Sequence, residues 1–150
     1  MNAAFYETEW YSECLMFWFT STGKESIIKV ILFKPTEEFD VYEIALGDLN
    51  PDGSIDLDAR SDNGDTEEVL STVAKAVLFF LSDHIEAQVV IEASSDSRAR
   101  LYQIAIKKEM TDLGNYLVIY GFDNENPEVL RSDKNYKKFV ISLKENRLEF

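Results

Sequence analysis

The residues best suited to chemistry stand in one short segment, Ser94-Ser95-Asp96-Ser97-Arg98-Ala99-Arg100-Leu101-Tyr102. An apolar run, Val89-Val90-Ile91, precedes it and a helical pattern follows, so the segment reads as a strand-to-helix junction. The first turn of a helix presents unpaired N–H groups and the positive end of the dipole, and both attract anions. Hydroxyls of Ser94, Ser95 and Ser97, with the guanidinium groups of Arg98 and Arg100, would complete a site for phosphate or carboxylate. The same residue types also have a plain structural use. Ser and Asp cap helices, and an arginine in the first turn can pair with a neighbouring carboxylate. Two arginines at that end nevertheless oppose the dipole, which points to a specific partner.

Carboxylates form the second group. Asp48-Leu49-Asn50-Pro51-Asp52-Gly53-Ser54-Ile55-Asp56 opens like a calcium loop, with oxygen donors at the first, third and fifth positions and Gly at the sixth. The twelfth position, which should carry a bidentate carboxylate, is Ala59, so the better reading is a Pro-Asp-Gly hairpin turn. Asp56, Asp62 and Asp65, joined by Asp96, would be the ligands if the chain held Mg²⁺ or Mn²⁺ for phosphoryl chemistry. Turn formation and helix capping account for the same residues. His84 is the only histidine and falls near a helix end, where it suits a capping role better than catalysis. Cys14, the only cysteine, lies in an aromatic run and reads as a buried, inert thiol. Neither supports a Ser-His-Asp or Cys-His centre, and no catalytic residue is assigned.

The elements that would position these groups follow from hydrophobic periodicity. Cys14 to Ser21, Ser26 to Phe33, Phe39 to Leu46 and Ile55 to Ala59 read as strands, with turns at Thr22-Gly23-Lys24 and Asn50-Pro51-Asp52-Gly53; linkers this short imply an antiparallel meander. Thr66 to about Ile85 places Val69, Leu70, Val73, Val77, Phe80 and Leu81 on one helical stripe, opened by Asp65 and Glu68 at capping-box spacing. Gln88 to Ala93 reads as a central strand buried on both faces. A second helix, Ser97 to Leu113, should turn Leu101, Ile104, Ala105 and Met110 inward and stop at Gly114. Tyr116 to Phe122 and Tyr136 to Leu143 complete the strands. The expected fold is α+β, a mainly antiparallel sheet with two helices in the order β-β-β-β-α-β-α-β-β, as one domain over residues 1–150.

Composition narrows the function classes. The 150 residues are 45% hydrophobic, enough for a core without disulfides or a structural metal. A formal net charge of −13 disfavours generic binding to nucleic acid or to an anionic membrane. Carboxylates crowd the stretch from Thr36 to Glu68, where Arg60 is the one cation, whereas Arg98, Arg100, Lys107, Lys108 and the later cations lie in the other half. That asymmetry suits a basic protein partner or a small anionic ligand. No secretory leader or spanning helix is visible, so a cytoplasmic location is expected.

Gly47-Asp48, Gly53-Ser54-Ile55-Asp56, Ser61-Asp62-Asn63-Gly64-Asp65 ahead of Val69-Leu70-Ser71-Thr72-Val73, and the Ser94 to Tyr102 segment together resemble an uncharacterised family of small bacterial proteins, mostly from Bacteroidota. Its most specific feature is a Ser-x-x-Arg-x-Arg-Leu-Tyr motif, carried here by Ser95, Arg98, Arg100, Leu101 and Tyr102. The family more often has Gly-Ser-Thr where this chain has Ser94-Ser95-Asp96, and an Asn pair where it has Asp62-Asn63. The resemblance implies a bacterial, single-domain protein and supplies no activity. At the level of element order the chain is also similar to ribonuclease-H-like nucleases, although its first strand lacks their acidic residue.

The sequence therefore points to a small non-enzymatic binding or interaction protein without cofactor, with Ser94, Ser95, Ser97, Arg98 and Arg100 as its anion- or partner-binding edge. A metal-assisted hydrolase or nuclease using Asp56, Asp62, Asp65 and Asp96 is the alternative, and an acidic inhibitor mimicking nucleic acid is a third reading.

Overall fold

The computed structural model describes residue 6 and residues 9–11, 15–57 and 63–144. Its elements are β1 (Glu9–Tyr11), β2 (Met16–Ser21), β3 (Ile27–Pro35), β4 (Val41–Leu49), β5 (Ile55–Asp56), α1 (Thr66–Asp83), β6 (Gln88–Glu92), α2 (Asp96–Leu113), β7 (Leu117–Asp123), β8 (Asn126–Val129) and β9 (Lys138–Leu143). The expected α+β class and element order are present, and the short strands β1 and β8 extend the two edges of the sheet. Cys14 and Asp62 lie outside the described residues, as do Asp58 to Ser61, where the end of the fourth expected strand falls.

One sheet runs β1-β2-β3-β4-β6-β9-β7-β8, with β5 paired to β4. The expected antiparallel meander is formed by β2, β3 and β4, with β1 added antiparallel at its edge; Phe17 lies opposite Ile31 and Ile31 opposite Leu46. Between β4 and β6 the pairing turns parallel, and α1 is the crossover. That pairing covers three positions, Val41 with Gln88, Tyr42 with Val89 and Glu43 with Val90. Beyond them β4 stays with β3 and β6 with β9, so the two strands part. The last described strand, β9, inserts antiparallel between β6 and β7.

Alternation along the strands sends one set of side chains toward the helices. Phe17, Phe19, Ile31, Phe33, Val89, Phe139 and Ile141 are buried there against Val69, Val77, Phe80 and Leu81 of α1. The α1 stripe is thus the one read from its periodicity. Phe80 stacks on Phe33 at 4.2 Å between centroids, and His84 stacks on Phe80 at 4.4 Å. His84 closes α1: its backbone N–H and its Nδ1 both donate to the Phe80 carbonyl. The expected capping role is therefore realised.

Three local expectations are corrected and one is met. Leu101 and Ile104 face outward, 48% and 59% exposed, while Ala99, Gln103, Glu109 and Leu113 are the buried residues of α2. Gln103 is held inside by its bonds to the 134–136 backbone, donating to the Lys134 carbonyl and accepting from the Tyr136 N–H, and this sets the roll of the helix. Gly114 is the expected stop: it caps α2, its N–H donating to the Met110 carbonyl. Asp65 is the N-cap of α1 but makes no side-chain cap bond. Finally, β6 is central, yet full burial on both faces belongs to β9, where Phe139, Val140, Ile141 and Ser142 are all covered; Val90 is half-buried and Glu92 exposed.

Candidate functional site

The Ser94 to Arg100 junction is built as a capped helix start. Ser95, in extended conformation, accepts from the Arg98 N–H at 3.2 Å, and its Oγ lies 3.2 Å from that of Ser97. Asp96 sits in the first turn, where a carboxylate complements the dipole, and pairs with Lys137 at 3.0 Å. Arg98 and Arg100 stand two residues apart and so diverge around the helix. A surface groove brings together Asp96, Ser97, Arg100, Leu101, Ile104 and Lys137, leaving out Ser94, Ser95 and Arg98. Among the described residues, neither Arg98 nor Arg100 forms an ion pair.

Two of the carboxylates expected as metal ligands, Asp65 and Asp96, are engaged elsewhere. Asp65, 6% exposed, accepts through Oδ2 from the Tyr6 hydroxyl at 2.6 Å and from the Ser21 hydroxyl. Asn63 adds to this network. Its Nδ2 donates to Ser21 Oγ and to the Glu25 carbonyl, while its Oδ1 accepts from the Glu25 N–H. The network clamps the entry of α1 onto the β2–β3 turn, so closely that a Cβ on Gly23 would lie 1.7 Å from the Asn63 carbonyl oxygen. Asp56 is exposed on β5, and Asp96 is held by Lys137. Among the described residues, no group of three or more His, Cys, Asp or Glu is gathered as a metal site.

The segment resembling a calcium loop is the β4–β5 hairpin turn. Gly53 takes φ +88°, the Asn50 N–H donates to the Ser54 carbonyl, and Asp52 accepts from the Ser54 N–H and hydroxyl. Those Ser54 bonds hold the Asp52 carboxyl below the ordinary value, the hydroxyl contributing most.

A further site, with no counterpart in the sequence reading, lies between the helices and the sheet. Where β4 and β6 part, Ile44 and Leu46 on one side and Ile91 on the other face Val73 and Ala74 of α1 and Ile106 of α2 across a cavity of about 130 Å³. The alanines at 74 and 105 are too short to fill it. Into this apolar lining α2 brings Glu109, 7% exposed. Its Oε1 accepts from the Ser71 hydroxyl of α1 at 2.6 Å. Its Oε2 is buried and has no hydrogen-bond partner. Glu92, exposed at the end of β6, also lines the cavity and marks its approach to solvent.

One feature makes this arrangement costly to the fold: a buried acceptor without a donor costs about 1–3 kcal/mol, more when charged. Apolar walls around one fixed polar group are the common form of a small-ligand site. The signal in the sequence was the stripe Ala99, Tyr102, Ile106, Met110, Leu113, with steps of three and four, which carries Glu109 on its flank.

Among the described residues, no helix is long and apolar enough to cross a membrane. No curated protein and no solved structure matches the chain. A family model described as a family of unknown function, DUF6934, matches residues 2–144, and the chain belongs to that family.

Proposed function

We propose that this protein is a non-enzymatic binding protein that takes a compact apolar ligand, or the apolar end of a larger one, into the cavity between its two helices and the sheet. The observation that carries this reading is the cavity itself, about 130 Å³ lined mostly by apolar side chains of the two helices and the sheet. The exposed Arg100, Leu101 and Ile104 beside Lys137 support a second role for the junction, as the edge that meets a protein partner or a small anion. We place the protein in the cytoplasm, where a single cysteine needs no oxidative pairing.

Thermal unfolding with and without toluene tests the cavity. A ligand bound only by the folded state raises the midpoint with its concentration. Ala74→Leu should fill the space, raise the ligand-free midpoint and abolish the toluene response. A wild-type midpoint indifferent to toluene and to other single-ring hydrocarbons removes this reading.

A further inference from the structure

The outward face of α2 carries the sign opposite to that of the chain. From Ser97 to Thr111 its exposed positions include Arg100, Leu101, Ile104, Lys107 and Lys108 and no carboxylate, in a protein of net charge −13. Lys107 and Lys108 are occupied, one by the Ser132 carbonyl and the other by Glu67. The single carboxylate of the groove beside this face, Asp96, is taken up by Lys137. Arg100 therefore stands uncompensated in the groove, and Ile104 follows it one turn later on the same side of the helix. Leu101 and Ile104 expose apolar surface there, three positions apart. The groove, about 830 Å³, offers many times the space of one inorganic anion, and an anion alone would leave both apolar side chains in water.

We infer that this groove docks an acidic protein segment in which branched aliphatic side chains stand next to carboxylates. The inference rests on the reading of the junction as a partner-binding edge and is independent of the cavity. A carboxylate of the segment pairs with Arg100, whose planar fork matches it with two parallel hydrogen bonds. The aliphatic side chains cover Leu101 and Ile104. At physiological salt exposed charges are screened beyond about 8 Å, so the groove's own charges select the partner more than the net charge of the chain does. A basic segment would face Arg100 with no carboxylate of the groove free to pair with it. An anionic membrane would set a whole charged plane against an acidic chain, whereas a short segment touches the groove alone.

The test is fluorescence anisotropy of the full chain with the labelled peptide Glu-Asp-Leu-Leu-Asp-Glu, a version with Ala in place of both Leu, and a version with Lys in place of every acidic residue. The acidic Leu peptide should bind at least tenfold more tightly than either of the others, and more weakly as salt is raised. Arg100→Glu should weaken its binding at least tenfold, as should Leu101→Ser combined with Ile104→Ser. Lys34→Glu, the same change of charge outside the groove, should leave it unchanged. Equal binding of the Leu and Ala peptides, or binding of inorganic phosphate alone, overturns the inference and leaves the junction as an anion site. Preference for the Lys peptide, or sedimentation with phosphatidylserine vesicles and no peptide binding, also overturns the inference. Failure of every peptide and of phosphate to bind the folded wild type overturns both the inference and the junction reading. Should the double variant not fold, the amide resonances of the wild type decide: movement at 97–104 with the acidic Leu peptide supports the inference, and movement elsewhere alone overturns it.

Discussion

Replacing Asp65 distinguishes a helix cap from a tertiary clamp by magnitude alone. An ordinary N-cap residue contributes about 1 kcal/mol. Asp65 makes no cap bond, but its Oδ2 receives two hydroxyl donors, from Tyr6 and from the fully buried Ser21. Each hydrogen bond to a charged acceptor is worth about 1.5–3 kcal/mol, so Asp65→Ala should cost roughly 3–6 kcal/mol. For a domain of this length the middle of that range lowers the unfolding midpoint by roughly 13 °C. The assay is urea unfolding followed by far-ultraviolet circular dichroism, with the slope against denaturant unchanged to exclude a change in the unfolded state. Asp65→Asn keeps an acceptor oxygen and should lose about half as much. A double-mutant cycle with Ser21→Ala should give a clear coupling energy. A loss near 1 kcal/mol for Asp65→Ala, with no coupling to Ser21, would refute the clamp and return Asp65 to a simple capping role.

Two further outcomes are expected. A Cβ at Gly121 would lie 2.4 Å from the Tyr136 ring, so Gly121→Ala should destabilise the protein by about 1–3 kcal/mol through overpacking, read from the same urea curves; an unchanged midpoint would mean that the ring is not seated there. The Arg131 hydrogen bond holds the Asp133 carboxyl below its ordinary value of 3.8. Its contribution to stability is therefore present above that value and is lost as the pH falls through the lowered one. Arg131→Ala should bring the NMR titration midpoint of Asp133 back up, and a midpoint that does not move would show that the two do not pair.

Where a segment's own periodicity decided its environment, the sequence was readable. The stripe from Val69 to Leu81 of α1 needed no knowledge of the sheet, because six apolar residues at helical spacing leave one face to bury. Alternation in Ile27–Pro35 separated its faces less cleanly, since Lys29, Val30 and Ile31 are buried in succession. On α2 the same rule failed, because the buried face carries two polar residues, Gln103 and Glu109. Each depends on a partner remote in sequence, the 134–136 backbone for one and Ser71 for the other. The junction was located correctly as a strand-to-helix turn, and Ser95 as a cap is legible from residue type. Which of its arginines shares the groove was not, since that depends on Lys137 arriving beside Asp96. The cavity was hidden for a related reason: it arises where β4 and β6 part, a matter of register between strands whose paired residues, such as Val41 and Gln88, are remote in sequence, which no single segment records.

The position of β9 bears on how the chain is made. The strands that precede it fall into two groups, β1 to β6 on one side and the β7–β8 hairpin on the other, and β9 is the piece that pairs with both. During synthesis from the N-terminus, the first group can form its meander early, but its β6 edge stays unpaired until Lys138–Leu143 has left the ribosome. An open edge of that kind invites pairing with other chains. At the usual rate of about 5–20 residues per second, the interval between completing β6 and completing β9 lasts several seconds. Nascent chains are therefore most vulnerable to misassociation in that interval, and any cut that removes β9 separates the sheet into its two parts rather than shortening it by one strand.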